Sequence, residues 1–419
     1  MTARSLFARA SNANTISDRS IPEIGLSIAT SWGSGPSVIL GIIFIWQYGL
    51  IPGSAWIIGN ILAPSLVGLF RRCIPLSDRW VDVSLATLSL FAMYIFVECF
   101  IILINLGAIK MAFDGTGTLQ KISELSLVSG NVAMFITVGI GVSIVVLIYR
   151  YGFRGSVLSD KWQYIIQLIA AALFAFIAFL LADNNTSYPP LFVKGGEDWF
   201  WLGFAGIITG AFSYAQMWER FIAVPRKDAL RLGLWGSFFF GIYMALVWVA
   251  GYFFIQNTFT GILLFIIIMA ISTSTIDSNV AGLQFVARKI ALNSQIQKAL
   301  SFFSGVNEAR LRMLAEKKSV FVGSVVAFLV VMSFPFIPQT DIAGIWNAMA
   351  TVRWKVVVFA VGITISFQVL FWLFGWLVRK KILEDDLATM VKKHPGFGIF
   401  RVVLALLLFF CPLFFLGFL

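Results

Sequence analysis

The chain has 419 residues, 59% hydrophobic and only 12% charged, with a mean hydropathy of +0.90, too much apolar surface for a soluble protein of this length. Composition therefore sets the class as an all-α polytopic membrane protein. Three cysteines far apart (Cys73, Cys99, Cys411) offer neither a disulfide framework nor a zinc spacing, and the one histidine, His394, sits in a charged loop beside Pro395. General acid–base or metal chemistry has few players here, which argues against an enzyme.

The N-terminal stretch MTARSLFARASNANTISDRSIPEIG has no apolar core beside its basic residues. It reads as a cytoplasmic tail over 1–25 and not as a cleaved signal. A ruler of about 20 apolar residues then gives eleven spans, near 26–50, 54–70, 82–110, 128–149, 162–182, 198–217, 229–255, 258–287, 319–337, 355–378 and 397–419. With the N-terminus inside, 26 of the 31 lysines and arginines fall in inner segments. That split predicts an N-in, C-out topology, and it accounts for the net charge of +11 without a nucleic acid.

Span 1 reads LSIATSWGSGPSVILGII, with Gly33, Gly35 and Pro36 clustered among Thr30, Ser31, Ser34 and Ser37. Glycine and proline both disfavour a continuous helix, so a break is expected, with freed carbonyls that need a cavity. Span 6 places Gly203, Gly206 and Gly210 before Ser213, Tyr214 and Gln216, a second candidate break five spans later. Broken helices at matching positions of two halves mark inverted-repeat transporters, with the solute held at the midplane. The repeats would be 26–182 (spans 1–5) and 183–378 (spans 6–10), leaving 379–419 as a loop and an additional span 11. Small residues that merely allow close helix packing are the plainer reading of the same glycines.

Ionisable residues at membrane depth are functional candidates. Glu98 lies deep in span 3; Asp160, Glu219 and Arg220 lie near the inner interface, where solvation or pairing also explains them. Asp277 belongs to span 8, within the polar run ISTSTIDSN. Ser274 and Ser278 share a helix face there, and Thr275 flanks it. Hydroxyls facing freed carbonyls suit a small hard cation, whereas hydroxyls bonded back to their own helix would leave no site.

Four stretches carry a family resemblance. STIDSNVAGLQFVARKIA resembles the span-8 signature of the sodium:solute symporter family, the relatives of proline permease and the sodium/glucose cotransporters. YGFRGSVLSDKWQYIIQLIAA is similar to that family's fifth core helix, with Gly155, Asp160 and Gln163 matching and Ser159 in place of threonine. SYAQMWERFIAVPRKDALRLG is similar to the stretch after its sixth, matching at Arg220 and Ala223, with Glu219 for glutamine and Tyr214 for an upstream acid or amide. RSIPEIGLSIATSWGSG resembles the start of its first core helix. The matches run in order over residues 19–290.

The resemblance implies a LeuT-type five-plus-five inverted-repeat fold and sodium-coupled symport of a small organic solute by alternating access, in a bacterial inner (plasma) membrane. Ser274 and Thr275 would give sodium hydroxyls, and backbone carbonyls near Thr30, Gly33 and Ile271 would complete the shell. Asp160 and Asp277 would serve a second cation or the coupling step. Solute would meet Ser31, Trp32, Ser34, Glu98, Tyr214, Gln216 and Gln368. No cofactor beyond the coupling ion is implied. The chain departs from the pattern by starting directly at the broken helix, with fewer spans than is usual, and by matching poorly after span 9.

Two other readings stay open: a symporter-like sensor or scaffold, which with FFLGFL as its last residues would need a separate output protein, and a proton-coupled carrier using Glu98 or Asp277. The segment 288–318 alternates apolar and basic residues and reads as lying on the inner membrane surface; a docking site for a cytoplasmic or membrane partner is the sharper reading. The loop 183–198 reads as a connector, or as a lid.

Overall fold

The computed structural model describes residues 20–73, 85–116, 125–182, 188–193, 211, 214–253, 258–292, 297, 301, 304 and 306–337. Residues 1–19 of the expected tail, Gly203, Gly206, Gly210, Gln368 and spans 10 and 11 lie outside them, as does part of 288–318; the end of the expected tail, from Ser20, is already helix. Among the described residues the secondary structure is helical throughout. Seven helices are long and apolar enough to cross a membrane, and a bent pair adds an eighth candidate.

The bent pair is span 1. Helix α1 (Ser20–Trp32) and α2 (Gly35–Tyr48) meet at 71° across Gly33 and Ser34. Ser34 has extended backbone (φ −127°, ψ 152°), and its hydroxyl accepts from the Ser37 amide at 3.2 Å, while Pro36 sits in the first turn of α2. An N-cap serine followed by proline is a strong start signal, so the sequence ends one helix and begins another here.

Helix α3 (Leu50–Cys73) follows after Gly49, whose φ of 105° a side chain would strain. A Cβ on Gly49 would also lie 2.7 Å from the Leu191 carbonyl. Residues 190–193 run over this turn, bonding through Pro190 O, Leu191 O and the Val193 amide to the backbone of Leu50, Ile51 and Tyr48. That part of the loop 183–198 is therefore pinned to the α2–α3 turn.

Helix α4 (Leu85–Asp114) is span 3. Spans 4 and 5 run together as α5 (Gly130–Leu181), interrupted only at Gly152, with φ 60° and ψ −158°. The sequence expectation placed a loop over 150–161. Helix instead runs through this stretch with a kink at Gly152 alone, because one glycine supplies the turn that a longer linker would otherwise make. The short α6 (Ala215–Ile222) is the described end of span 6. Helices α7 (Ala229–Tyr252), α8 (Thr258–Ala291) and α9 (Glu308–Ser333) complete the bundle. Helix α9 begins before the expected 319, so residues 308–318, read as surface helix, run continuously into span 9. EARLRMLAEKK is rich in strong helix formers, which explains the extension.

Helix α8 is the centre. Its most apolar window is 67% buried, against 33% for Gly130–Phe153 and 33% for Met313–Phe336. The peripheral helices turn Phe135, Trp162, Phe179 and Leu329 outward, as a bilayer solvent permits.

Close backbone approach holds α3 to α7. A Cβ on Gly233 would stand 2.5 Å from the Pro64 carbonyl oxygen, a backbone atom with little freedom to yield. Gly233→Leu is expected to cost about 1–3 kcal/mol as overpacking. Gly139, where a Cβ meets nothing within 4 Å, is the control: Gly139→Leu should change thermal unfolding in detergent little.

Candidate functional site

The site grows from the break in span 1. Interrupting a helix frees backbone groups, and each must find a partner. The Gly35 amide donates to Asn105 Oδ1 of α4 at 3.1 Å, and Asn105 donates in turn to the Ile101 carbonyl at 2.9 Å. Pro64, having no amide hydrogen, frees the Asn60 carbonyl in α3, which accepts from the Trp32 indole at 3.0 Å. The Gly33 carbonyl accepts from the Thr275 hydroxyl of α8 at 2.5 Å. That hydroxyl also stands 2.8 Å from the Ile271 carbonyl of its own helix. A threonine has one hydroxyl hydrogen, so it serves the two carbonyls one at a time.

The fit here depends on glycine. A Cβ on Gly33 would lie 2.5 Å from Ile271 Cδ1, and one on Gly35 would lie 2.0 Å from Ser272 Oγ and 3.1 Å from Ala108 Cβ. The break is thus pressed against α8 on one side and α4 on the other.

Beside it lies a buried charged junction. Arg220 of α6 is 0% exposed. Its Nε donates to Ser27 Oγ at 2.8 Å, Nη1 to the Gln216 carbonyl at 3.1 Å, and Nη2 to Asp160 Oδ2 at 3.1 Å and Ser278 Oγ at 2.8 Å. The guanidinium also lies over the Phe153 ring, 5.6 Å from its centroid. Asp160 of α5 accepts from Ser27 at Oδ2 and from Ser274 at Oδ1, the latter at 2.5 Å. Asp277 of α8 accepts from Ser156 at 2.9 Å and Ser159 at 2.6 Å. Asp160 thus pairs with the guanidinium directly, while Asp277 is joined to it only through the hydroxyls of Ser156 and Ser278, across α1, α5, α6 and α8.

The residues expected to serve sodium divide into two adjoining groups. Thr275, Gly33 and Ile271 meet at the break, while Ser274 turns to Asp160. Thr30 bonds back to the Leu26 carbonyl at 2.8 Å and reaches the Asp160 carbonyl at 3.4 Å. Asp160 and Arg220 are interior and paired, not solvated at an interface.

The residues expected to meet solute are also engaged internally. Ser31 bonds to the Ser27 carbonyl at 2.7 Å, Trp32 to Asn60, and Ser34 to Ser37. Trp32 and Tyr214 stack edge to face at 5.3 Å. Glu98 accepts from the Gln216 amide at 3.0 Å, and Gln216 Nε2 reaches the Ser31 carbonyl at 3.4 Å.

Sequence reasoning missed Asn105, Asn60, Ser27 and Ser156. A lone asparagine in an apolar span was the available signal for the first two; the serines pass for ordinary small residues.

No protein-family profile matches the chain, and no curated protein matches it by sequence. Among solved structures it is similar to a sodium-coupled sialic acid symporter, determined in a substrate-bound, outward-open state that reveals a novel sodium site. The identity is 12% and the TM-score 0.52, over 99% of this chain and 97% of that one. The chain has the fold of that symporter. It is an all-α integral membrane protein, and within this symporter fold the broken span 1 faces the polar run of α8.

Proposed function

We propose that the protein is a sodium-coupled symporter of a small organic solute, related to the sodium:solute symporters and built as a LeuT-type pair of inverted repeats. The observation that carries this reading is the meeting of the Thr275 hydroxyl with the Gly33 and Ile271 carbonyls, at the break of one helix against another. Three oxygens in mutual reach with a single hydrogen among them are a natural set for a small hard cation. The adjoining junction holds two carboxyl groups and one guanidinium, so a cation nearby is electrostatically favoured whenever both carboxyls are ionised. Ser274, Thr275 and the carbonyls of Gly33 and Ile271 would bind sodium, with Thr30 and Asp160 beside them.

Sodium would draw α1 and α2 onto α8 and so organise the solute pocket at Ser31, Trp32, Ser34, Glu98, Tyr214 and Gln216, with Gln368 as a further candidate. Solute binding then closes one side, and rocking of the bundles opens the other. Linkage requires that solute raise sodium affinity as much as sodium raises solute affinity. The test is a sodium titration of the purified protein in detergent, at fixed ionic strength with potassium as the replacement ion. Unfolding is followed by fluorescence of its 14 tryptophans. Saturable stabilisation specific to sodium is expected, weakened at least about tenfold in half-saturation by Ser274→Ala with Thr275→Ala, the equivalent of about 1.4 kcal/mol. An unchanged sodium response in that double variant would remove these residues from the site.

A further inference from the structure

The carboxylate of Glu98 leaves one oxygen unused. Helix α4 carries it into the interior, 0% exposed. Its Oε1 accepts from the Gln216 amide at 3.0 Å, in the first turn of α6. Tyr214, the cap residue of α6, makes no side-chain cap bond, so Glu98 caps that helix from a neighbouring one. Glu98 Oε2 has no hydrogen-bond partner among the described residues, and neither does Oε1 of Gln216, a side chain 2% exposed. Two acceptors are thus buried at the same helix end without donors. Native interiors rarely leave such atoms unpaired, and each calls for an explanation.

Two neighbouring donors are committed elsewhere. Gln216 Nε2 faces the Ser31 carbonyl, and the Arg220 guanidinium, one turn further along α6, is held by Ser27, Asp160 and Ser278. The carboxylate also has a bare neighbour. A Cβ on Gly282 of α8 would stand 3.0 Å from Glu98 Cδ and 3.1 Å from both oxygens. Glycine at 282 therefore lets the α8 backbone pack directly against the carboxyl, where even a methyl would crowd it. The Trp32–Tyr214 aromatic pair meets at the start of α6, and ring faces of this kind attract cations.

We propose that Glu98 and the Gln216 side-chain oxygen recognise a primary or secondary ammonium group on the transported solute, an inference that rests on the symport reading above. Such a group brings two or more N–H donors, one for each orphaned acceptor, and a positive charge for the carboxylate. A quaternary ammonium brings the charge without the donors. A neutral hydroxyl brings a donor without the charge, and a carboxylate or phosphate brings neither.

The test uses the full chain in detergent with saturating sodium and three probes of similar size: ethanolamine, choline and ethylene glycol. Thermal unfolding is read by tryptophan fluorescence. Ethanolamine alone is expected to raise the melting temperature saturably. Glu98→Gln should weaken its half-saturation roughly 10- to 100-fold, the worth of a hydrogen bond to a charged group. The same variant should melt higher than the parent without probe, because its amide can donate to Gln216 Oε1 from within. Gly282→Ala, whose methyl would press on the carboxyl and displace it, should also weaken the ethanolamine response; stabilisation by sodium, read on each variant, reports that it is folded.

An equal response to choline or ethylene glycol overturns the proposal. So does an unchanged half-saturation in Glu98→Gln, or no response to any probe in the parent protein. Stabilisation by acidification alone, with no increment from ethanolamine, assigns the place to a proton and also overturns it. An ethanolamine response without a sodium response upholds the ammonium site and removes sodium coupling instead.

Discussion

Arg220→Met is expected to cost about 3–5 kcal/mol of unfolding free energy, the range for removing one partner of a buried ion pair. The guanidinium joins Ser27, Gln216, Asp160 and Ser278 at once, at 0% exposure. Without it the Asp160 carboxyl keeps only serine hydroxyls, and Asp277 loses its nearest cation. Arg220→Lys should recover only part of the loss, because one ammonium cannot span a fork of four acceptors. Arg220→Met combined with Asp160→Asn should be less damaging than the sum of the two changes, since Asp160 is then no longer left as the unpaired half of a buried ion pair. Unfolding of all four proteins in detergent closes that cycle. Strict additivity would show that the two groups act independently, against the 3.1 Å contact between them.

The second large effect is steric. Gly35→Ala would set a methyl 2.0 Å from Ser272 Oγ, closer than real contacts allow, and so force α2 away from α8. The expected cost is about 1–3 kcal/mol, with a sodium response weakened as Gly33 moves off Thr275. Ser272→Ala relieves this clash, because it removes the offending oxygen. Ser272 Oγ has no hydrogen-bond partner among the described residues, so Ser272→Ala alone should be close to neutral. The double variant is therefore expected to recover much of the stability and the sodium response that Gly35→Ala loses. A double variant as weak as the single one would place the strain at Ala108, 3.1 Å away on the α4 side.

The break in span 1 was legible because its cause is local: Gly33, Ser34, Gly35 and Pro36 fix the backbone whatever surrounds them. The polar face of α8 was legible for a similar reason, as five hydroxyls and a carboxylate in a greasy helix are conspicuous. Their partners were not. Asp277 meets Ser156 and Ser159 more than a hundred residues away, and no periodicity within either helix encodes that pairing. Whether Arg220 was solvated or paired could not be read from the sequence, because a hydropathy ruler ends a span at its first charge. Its burial depends on acceptors supplied by three other helices. The turn at Gly152 was hidden likewise: Arg150, Arg154 and Lys161 suggested a loop, but charge beside a turn says nothing of its length. Asn105 and Asn60 acquire their roles only from backbone groups freed by Gly35 and Pro64.

The seam among α1, α5, α6 and α8 is made of serine hydroxyls, carboxylates and one guanidinium rather than interlocked leucines. Apolar packing, once parted, has no substitute; each bond here can be replaced by one to water at a small net difference. Parting these helices is then a hydration step, in which incoming solvent takes over the acceptors of Asp160 and Asp277 one by one. Hydrogen–deuterium exchange at the amides lining this seam should accordingly rise and fall as a unit, while those of the α3–α7 contact, closed by glycine against the Pro64 backbone, stay protected.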